Sequence, residues 1–177
     1  MPKRLDNPKE AILKEAKKIL VHDGIQALNI RDIAKRCNIG TGTFYNYFAT
    51  KNDLVLAVFR QDWQLVNELI DQLAQSELTF KEKLKKIEEL LKEFVGAYLD
   101  LFFELSTFSG SHGCTETHKF DQLYHLVSKM IDDEKAKGTI TNPLDSTKLA
   151  EFIISNILYL NRHHYMSFDE LYNNFNL

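Results

Sequence analysis

Apolar side chains recur every three or four residues along most of the chain, which is the spacing of amphipathic α-helices. The pattern predicts a first helix that begins with a cap at Asn7 and ends at Gly24. A second helix follows Asn29, and a tight turn over residues 38–40 leads to a third, from about Thr41 to Phe48. Asn38 and Gly40 tolerate the positive φ that such a turn needs.

Longer helices are predicted in the rest of the chain. A capping box at Thr50 opens a fourth helix over residues 51–75, whose second half must pack on the later helices. A long pattern starts at Thr79, with a candidate break at Gly96, and three further helices precede the end of the chain. We therefore expect an all-α fold of about nine helices. The pattern divides the chain into a three-helix part over residues 1–50, with a helix-turn-helix at 29–48, and a helical part over 51–177, and the fourth helix links the two.

Charge is unevenly distributed along a chain whose net charge is -3. Residues 1–60 carry 11 Lys and Arg against 6 Asp and Glu, whereas residues 61–177 carry 11 against 19. A basic N-terminal part is what a polyanionic partner requires, although an unevenly charged, solvated surface is the alternative.

Composition indicates a soluble globular protein of the cytoplasm. No apolar run is long enough to span a bilayer, and the polar first nine residues are not typical of a signal peptide, so no membrane partner is expected. The two cysteines, Cys37 and Cys114, are far apart, and Cys37 lies on a predicted core face. We therefore expect no disulfide framework, as is usual for proteins of a reducing compartment.

The third predicted helix separates its side chains by polarity. Phe44 and Phe48 are four residues apart and are expected to face inward. The opposite side carries hydroxyl, amide and phenol groups, at Thr41, Thr43, Tyr45, Asn46 and Tyr47. A short helix with such a surface can enter the major groove of DNA and contact base edges and phosphates.

The N-terminal helices resemble those of the TetR family of transcriptional regulators. The resemblance spans about residues 8–60 and is carried by Gly24-Ile25, Ile30-Arg31-Asp32-Ile33-Ala34, Gly42-Thr43-Phe44-Tyr45, Tyr47-Phe48 and Lys51. It implies that residues 1–50 form a DNA-binding domain and residues 51–177 a regulatory and dimerisation domain. The protein would be a homodimer that binds a palindromic operator in double-stranded DNA. Such proteins are usually repressors that a small ligand releases.

The resemblance also implies roles for individual residues. Base-facing positions match Thr41, Gly42, Tyr45 and Asn46, and phosphate-contacting positions match Thr43, Tyr47 and Lys51. Arg31, in the first turn of the second helix, can reach a guanine edge or a phosphate. Gly40 and Asn46 differ from residues that are frequent in the family, which affects the expected operator sequence rather than the binding mode. Each residue also has a purely structural interpretation, such as an aromatic cover of the core or a surface ion pair.

The second half of the chain is rich in aromatic residues. An apolar cavity with a few polar groups is one interpretation, and a filled aromatic core is the other. The residues expected to line a ligand site are Trp63, Phe94, Tyr98, Phe102, Tyr124, Phe152, Asn156 and Tyr159. The inducer would be a small hydrophobic or aromatic molecule that shifts the fourth helix.

The helix predicted from Asp145 to Tyr165 carries more apolar surface than one side of a helix needs. Such width indicates burial on two sides, one within the chain and one between subunits. The residues predicted for the dimer interface are Phe152, Ile153, Ile157 and Leu160. The alternative is a helix buried wholly within one chain.

Two rival functions are compatible with the same sequence. The first is a DNA-binding architectural or protein-regulated dimer without a small-molecule inducer. The second is a metal-dependent enzyme built on His112, Cys114 and His118, which form an H-x-C-x3-H cluster in a predicted loop. Neither a nucleophile–base motif nor a phosphate loop occurs in the sequence, so we expect no enzymatic activity, no metal and no cofactor.

Overall fold

The computed structural model describes residues 7–108 and 120–177, with side chains for residues 7–98 and 120–177. Within these ranges every regular element is helical, which confirms the all-α prediction. Eight α-helices and one 3-10 turn occur there, against about nine helices predicted. They are α1 (Pro8–Asp23), the 3-10 turn (Ile25–Ala27), α2 (Ile30–Arg36), α3 (Thr41–Tyr45), α4 (Lys51–Ala74), α5 (Phe80–Phe108), α6 (Asp121–Ala136), α7 (Ser146–His163) and α8 (Phe168–Asn173).

The described residues up to Trp63, together with those from Ala97 to the end of α5, form one compact unit. Asn7 caps α1 by accepting a hydrogen bond from the backbone N–H of Glu10, at 3.3 Å. The core of the unit collects the buried stripes of the first helices. Its members include Ile12, Ala16, Ile19, Leu20, Ile33, Ala34, Phe44, Phe48, Leu54, Val55 and Val58.

Residues 64–96 and 120–177 form a second compact unit. Helix α6 packs against α7, and Asp145 caps α7 by accepting from the backbone N–H groups of Thr147 and Lys148. The core consists of apolar residues at helical spacing on three helices. They include Leu84, Ile87 and Leu91 of α5, Leu123, Val127 and Ile131 of α6, and Leu149, Ile153 and Ile157 of α7.

Two helices differ from their predicted lengths. Helix α3 stops at Tyr45, where a turn replaces the predicted continuation to Phe48. Helix α5 is continuous over 29 residues, so the break considered at Gly96 is wrong. A single glycine costs a helix about 1 kcal/mol, and the buried side chains on either side of it, among them Phe94 and Tyr98, offset that cost.

No helix in the described part of the chain combines the length and the apolar character needed to cross a lipid bilayer.

Candidate nucleic-acid interface

The turn between α2 and α3 is built by local backbone chemistry. The Asn29 side chain caps α2 by accepting from the backbone N–H groups of Arg31, at 2.9 Å, and Asp32, at 3.4 Å. Asn38 adopts the left-handed conformation, with φ of 52°, which asparagine tolerates better than most residues. Gly40 has φ of -72° and precedes α3 in an extended conformation, so only Asn38 takes the positive φ that was expected of both residues.

Helix α3 is anchored by two aromatic side chains. Phe44 is fully buried and Phe48 is 4% exposed, with their ring centroids 5.9 Å apart. This agrees with the inward orientation that the spacing predicts. Because both rings are packed in the core of the first unit, the remaining side of α3 has a fixed orientation.

The outer side of α3 and of the turn after it is polar and accessible. Tyr45 is 51% exposed and Tyr47 is 41% exposed. Thr41, Gly42, Thr43 and Asn46 are exposed as well. The six predicted contact residues on this segment are therefore all accessible to a partner.

Basic residues flank this segment in the sequence. Between Asp32 and Asp53 the sequence contains no carboxylate residue but carries Lys35, Arg36 and Lys51. A phosphate backbone would therefore meet no acidic side chain of this segment.

The two predicted basic contact residues lie at helix starts. Arg31 is exposed in the first turn of α2, and Lys51 is half-buried as the first residue of α4. Among the described residues neither forms an ion pair with a carboxylate, so the surface pairs of Arg31 with Asp32 or Asp53 are not present there. By contrast, Arg36 forms an ion pair with Glu15, in which Arg36 Nη1 lies 3.9 Å from Glu15 Oε2.

A capping box holds the start of α4 next to Lys51. The backbone N–H of Thr50 donates to Asp53 Oδ2 at 2.9 Å, and the backbone N–H of Asp53 donates to Thr50 Oγ1 at 3.1 Å. The box that the sequence predicts at this position is confirmed, and it leaves the Lys51 side chain next to a helix N-terminus, where anions are favoured.

The described residues predicted for a ligand site are divided between the two compact units. Trp63 and Tyr98 belong to the first compact unit, whereas Phe94, Tyr124, Phe152, Asn156 and Tyr159 belong to the second. Phe94 and Tyr98 are buried, at 5% and 2% exposure, while Phe152 and Tyr159 lie on the outer side of α7, at 48% and 55%. The side chain of Phe102 lies outside the described residues.

A surface groove of about 360 Å³ occurs elsewhere in the second unit, between α4 and α5. Its lining combines leucines with charged and polar side chains. It is lined by Leu69, Gln72, Leu73, Lys86, Glu89, Leu90 and Glu93. None of these residues was expected from the sequence, because half-exposed leucines on amphipathic helices give no signal that distinguishes a groove from a core edge.

Three of the four residues predicted for a subunit interface are buried within the chain itself. Ile153, Ile157 and Leu160 face the core of the second unit, and only Phe152 is exposed. The exposed residues of α7 include Phe152, Ser155, Tyr159 and His163, and the ring centroids of Tyr159 and His163 are 4.2 Å apart. The candidate metal cluster of His112, Cys114 and His118 lies outside the described residues.

Comparisons with known proteins agree with the helix-turn-helix. Residues 12–58 match the family of bacterial regulatory proteins named tetR. An uncharacterised HTH-type transcriptional regulator of Bacillus subtilis, YvdT, is 24% identical over 176 residues, which cover 96% of this chain and 89% of that protein.

Solved structures share the fold over nearly the whole chain. The fatty acid degradation regulator FadR of Bacillus halodurans aligns with a TM-score of 0.67 at 17% identity, covering 98% of this chain and 95% of that one. FadR of Bacillus subtilis, solved in complex with stearoyl-CoA, aligns with a TM-score of 0.64 at 17% identity, covering 94% of each chain. Residues 12–58 of this chain therefore match the tetR family of bacterial regulatory proteins, and the chain as a whole shares its all-α fold with these regulators.

Proposed function

We propose that this TetR-type regulator binds a palindromic operator as a homodimer and represses transcription until a small hydrophobic ligand releases it. The observation that carries the DNA part is the exposed polar side of α3, which is held by the buried rings of Phe44 and Phe48. A rigidly anchored helix with accessible hydroxyl, amide and phenol groups suits the major groove.

Roles within this surface are assigned from side-chain chemistry and position. Thr41, Gly42, Tyr45 and Asn46 face the bases in this proposal. Thr43, Tyr47 and Lys51 contact phosphates, and Arg31 contacts a phosphate or a guanine edge. Arg31 supports such a role because its guanidinium forms no ion pair with any described carboxylate.

The homodimer is supported by the outer side of α7. Phe152, Tyr159 and Tyr165 are large side chains that are 46% or more exposed. Aromatic residues are enriched in subunit interfaces, and a two-fold axis between two copies would match the symmetry of a palindromic operator. The buried residues Ile153, Ile157 and Leu160 would support this face from within each subunit.

The DNA proposal is tested by selecting bound sequences from a random duplex library with the full-length protein. We expect an enriched palindrome whose affinity falls steeply with salt, as phosphate contacts require. The same selection with Lys51→Ala should recover the same sequence at lower affinity, and Lys129→Ala, an exposed lysine of α6, is the matched control. A library that shows no enrichment would contradict sequence-specific binding.

The ligand part is supported by the shared fold with FadR of Bacillus subtilis, which was solved in complex with stearoyl-CoA. We propose a long-chain acyl thioester, or a molecule of similar amphiphilic chemistry, as the inducer class. Trp63 provides the reporter, since it is the one tryptophan of the chain and its half-buried ring lies in α4.

The ligand experiment titrates the operator complex with acyl-CoA esters of increasing chain length, and free CoA is the control. We expect release of the DNA and a change of Trp63 fluorescence at the same ligand concentration, with potency rising with chain length. If no ester and no other hydrophobic compound changes either signal, the alternative is favoured, in which the helical body only forms the dimer or binds a protein regulator.

A further inference from the structure

Asp62 of α4 accepts hydrogen bonds from two other helices. Lys17 of α1 donates from Nζ to Asp62 Oδ1 at 2.6 Å. The Tyr98 hydroxyl of α5 donates to Asp62 Oδ2. All three residues belong to the first compact unit, so one carboxylate joins α1, α4 and α5 within it.

Two members of this cluster are shielded from water, whereas the side chain of the third, Lys17, is 47% exposed. The Asp62 side chain is 12% exposed, and Tyr98 is 2% exposed. Burial, together with the hydrogen bond to Asp62, raises the pKa of Tyr98 above its ordinary value, so its hydroxyl remains a donor. The Phe59 ring, one turn before Asp62, meets the Tyr98 ring edge to face at a centroid distance of 5.4 Å. Helix α5 is therefore held to α4 by both the ring and the hydroxyl of Tyr98.

Helix α5 extends from this cluster into the second unit without a break. Leu91, Phe94 and Tyr98 succeed one another at helical spacing and are all buried, so they share one side of the helix. Phe94 belongs to the second unit and Tyr98 to the first. Because a continuous helix moves as a stiff element, a displacement of the α5 residues in the second unit would also shift the position of Tyr98.

We propose that Asp62 is a junction residue that couples α5 to helix α1 of the DNA-binding unit, so that Tyr98 sets operator affinity without contacting DNA. The two carboxylate oxygens serve different partners, so loss of the Tyr98 donor frees the carboxylate to rotate and weakens its contact with Lys17. Of the two tests of this inference, the second rests on the proposed DNA-binding function and the first does not.

The first test needs no DNA. Amide hydrogen exchange is measured on full-length Tyr98→Phe, and the expected result is faster exchange in the residues of α1 around Lys17. Tyr172→Phe, which removes a hydroxyl from a half-buried tyrosine of α8, is the control and should leave α1 unchanged. Unchanged exchange in α1 of Tyr98→Phe would overturn the junction.

The second test uses the selected operator. Tyr98→Phe and Lys17→Met should each weaken binding by about threefold to tenfold, a range typical of residues that modulate coupling between sites. The double variant, Lys17→Met with Tyr98→Phe, should bind the operator as tightly as whichever single variant has the lower affinity, because both substitutions act through Asp62. Lys18→Met removes the same charge from the next residue of α1 and controls for general attraction to DNA.

Asp62→Asn keeps the volume of the side chain but removes the charge that pairs with Lys17. It replaces Tyr98→Phe in both tests if Tyr98→Phe does not fold. Lys17→Met should have no further effect in that background. Additive losses in the double variant, or wild-type affinity in Tyr98→Phe, would overturn the junction while leaving DNA binding intact. A wild-type protein that binds no DNA would overturn the proposed function. The exchange measurement would still show whether Asp62 couples α5 to α1.

Discussion

Gly42 is a glycine that the packing of the chain does not require. A Cβ at this position would meet no atom within 4 Å, and its φ is not in the left-handed region. Glycine in a helix is less favourable than alanine by about 0.5–1 kcal/mol, so the fold alone would favour alanine here. A close approach of the α3 backbone to a partner explains the glycine better than any contact within the protein.

Gly42→Ala is therefore expected to stabilise the fold slightly and to weaken operator binding by roughly tenfold, the loss of one well-placed contact. Gly96→Ala is the matched control, because this glycine is also helical and a Cβ there also meets nothing within 4 Å. Thermal unfolding and a binding titration check both variants. Equal operator affinity for Gly42→Ala and the wild type would contradict a close approach at α3.

Substitutions of Asn46 and of Lys51 should change DNA binding in different ways. Asn46 ends α3 with an exposed amide, a group that reads adenine, so Asn46→Ala should reduce the preference for the selected operator over mismatched sites by about 1–3 kcal/mol. Lys51→Ala and Tyr47→Ala should weaken binding to every sequence alike and reduce its salt dependence. Gel shifts on matched and mismatched operators separate the two patterns. An equal loss on all DNA would remove Asn46 from base recognition.

At the scale of elements, helix starts were the most predictable features. Asn7 and Thr50 accept the backbone hydrogen bonds that the sequence predicts. Such caps depend on neighbours two or three residues away, which a sequence displays directly. The end of α3 and the continuity of α5 through Gly96 were not predicted, because tertiary packing decides both of them.

The capping boxes of α4 and α5 offer a matched comparison between stability and function. Thr50 and Thr79 make the same pair of bonds, with Asp53 and Glu82 respectively. Thr50→Ala and Thr79→Ala should each lower the free energy of unfolding by about 1 kcal/mol.

Only Thr50→Ala should also weaken operator binding, because its box fixes the helix start that carries Lys51. Denaturant unfolding and binding titrations on both variants measure the two effects. A similar loss of DNA affinity in Thr79→Ala would mean that stability alone controls binding, and the start of α4 would then have no special role.

At the scale of the molecule, the sequence indicated the fold class but not which residues meet across it. Lys17 and Tyr98 are 45 and 36 residues from Asp62, and no local pattern connects them. The wide apolar stripe of α7 likewise suggested two buried sides. The structure assigns Ile153 and Ile157 to the core of the chain and exposes Phe152 and Tyr159, a distinction that the apolar pattern alone does not contain.

The outer side of α7 leads to the prediction for the whole molecule. Tyr159 is 55% exposed, and its ring lies against His163 and Tyr165, with centroids 4.2 Å and 5.5 Å away. If two copies meet through this face, Tyr159→Glu places two like charges near the two-fold axis and should yield a folded monomer in analytical ultracentrifugation.

Loss of the dimer removes the advantage of binding two half-sites at once, so operator affinity should fall by about a hundredfold or more. Leu65→Glu is the control, since Leu65 is an apolar residue of similar exposure, 48%, on α4 instead of α7. It should remain dimeric and bind the operator. A Tyr159→Glu protein that sediments as a dimer would exclude this face as the subunit interface, and the palindrome would then require a different axis.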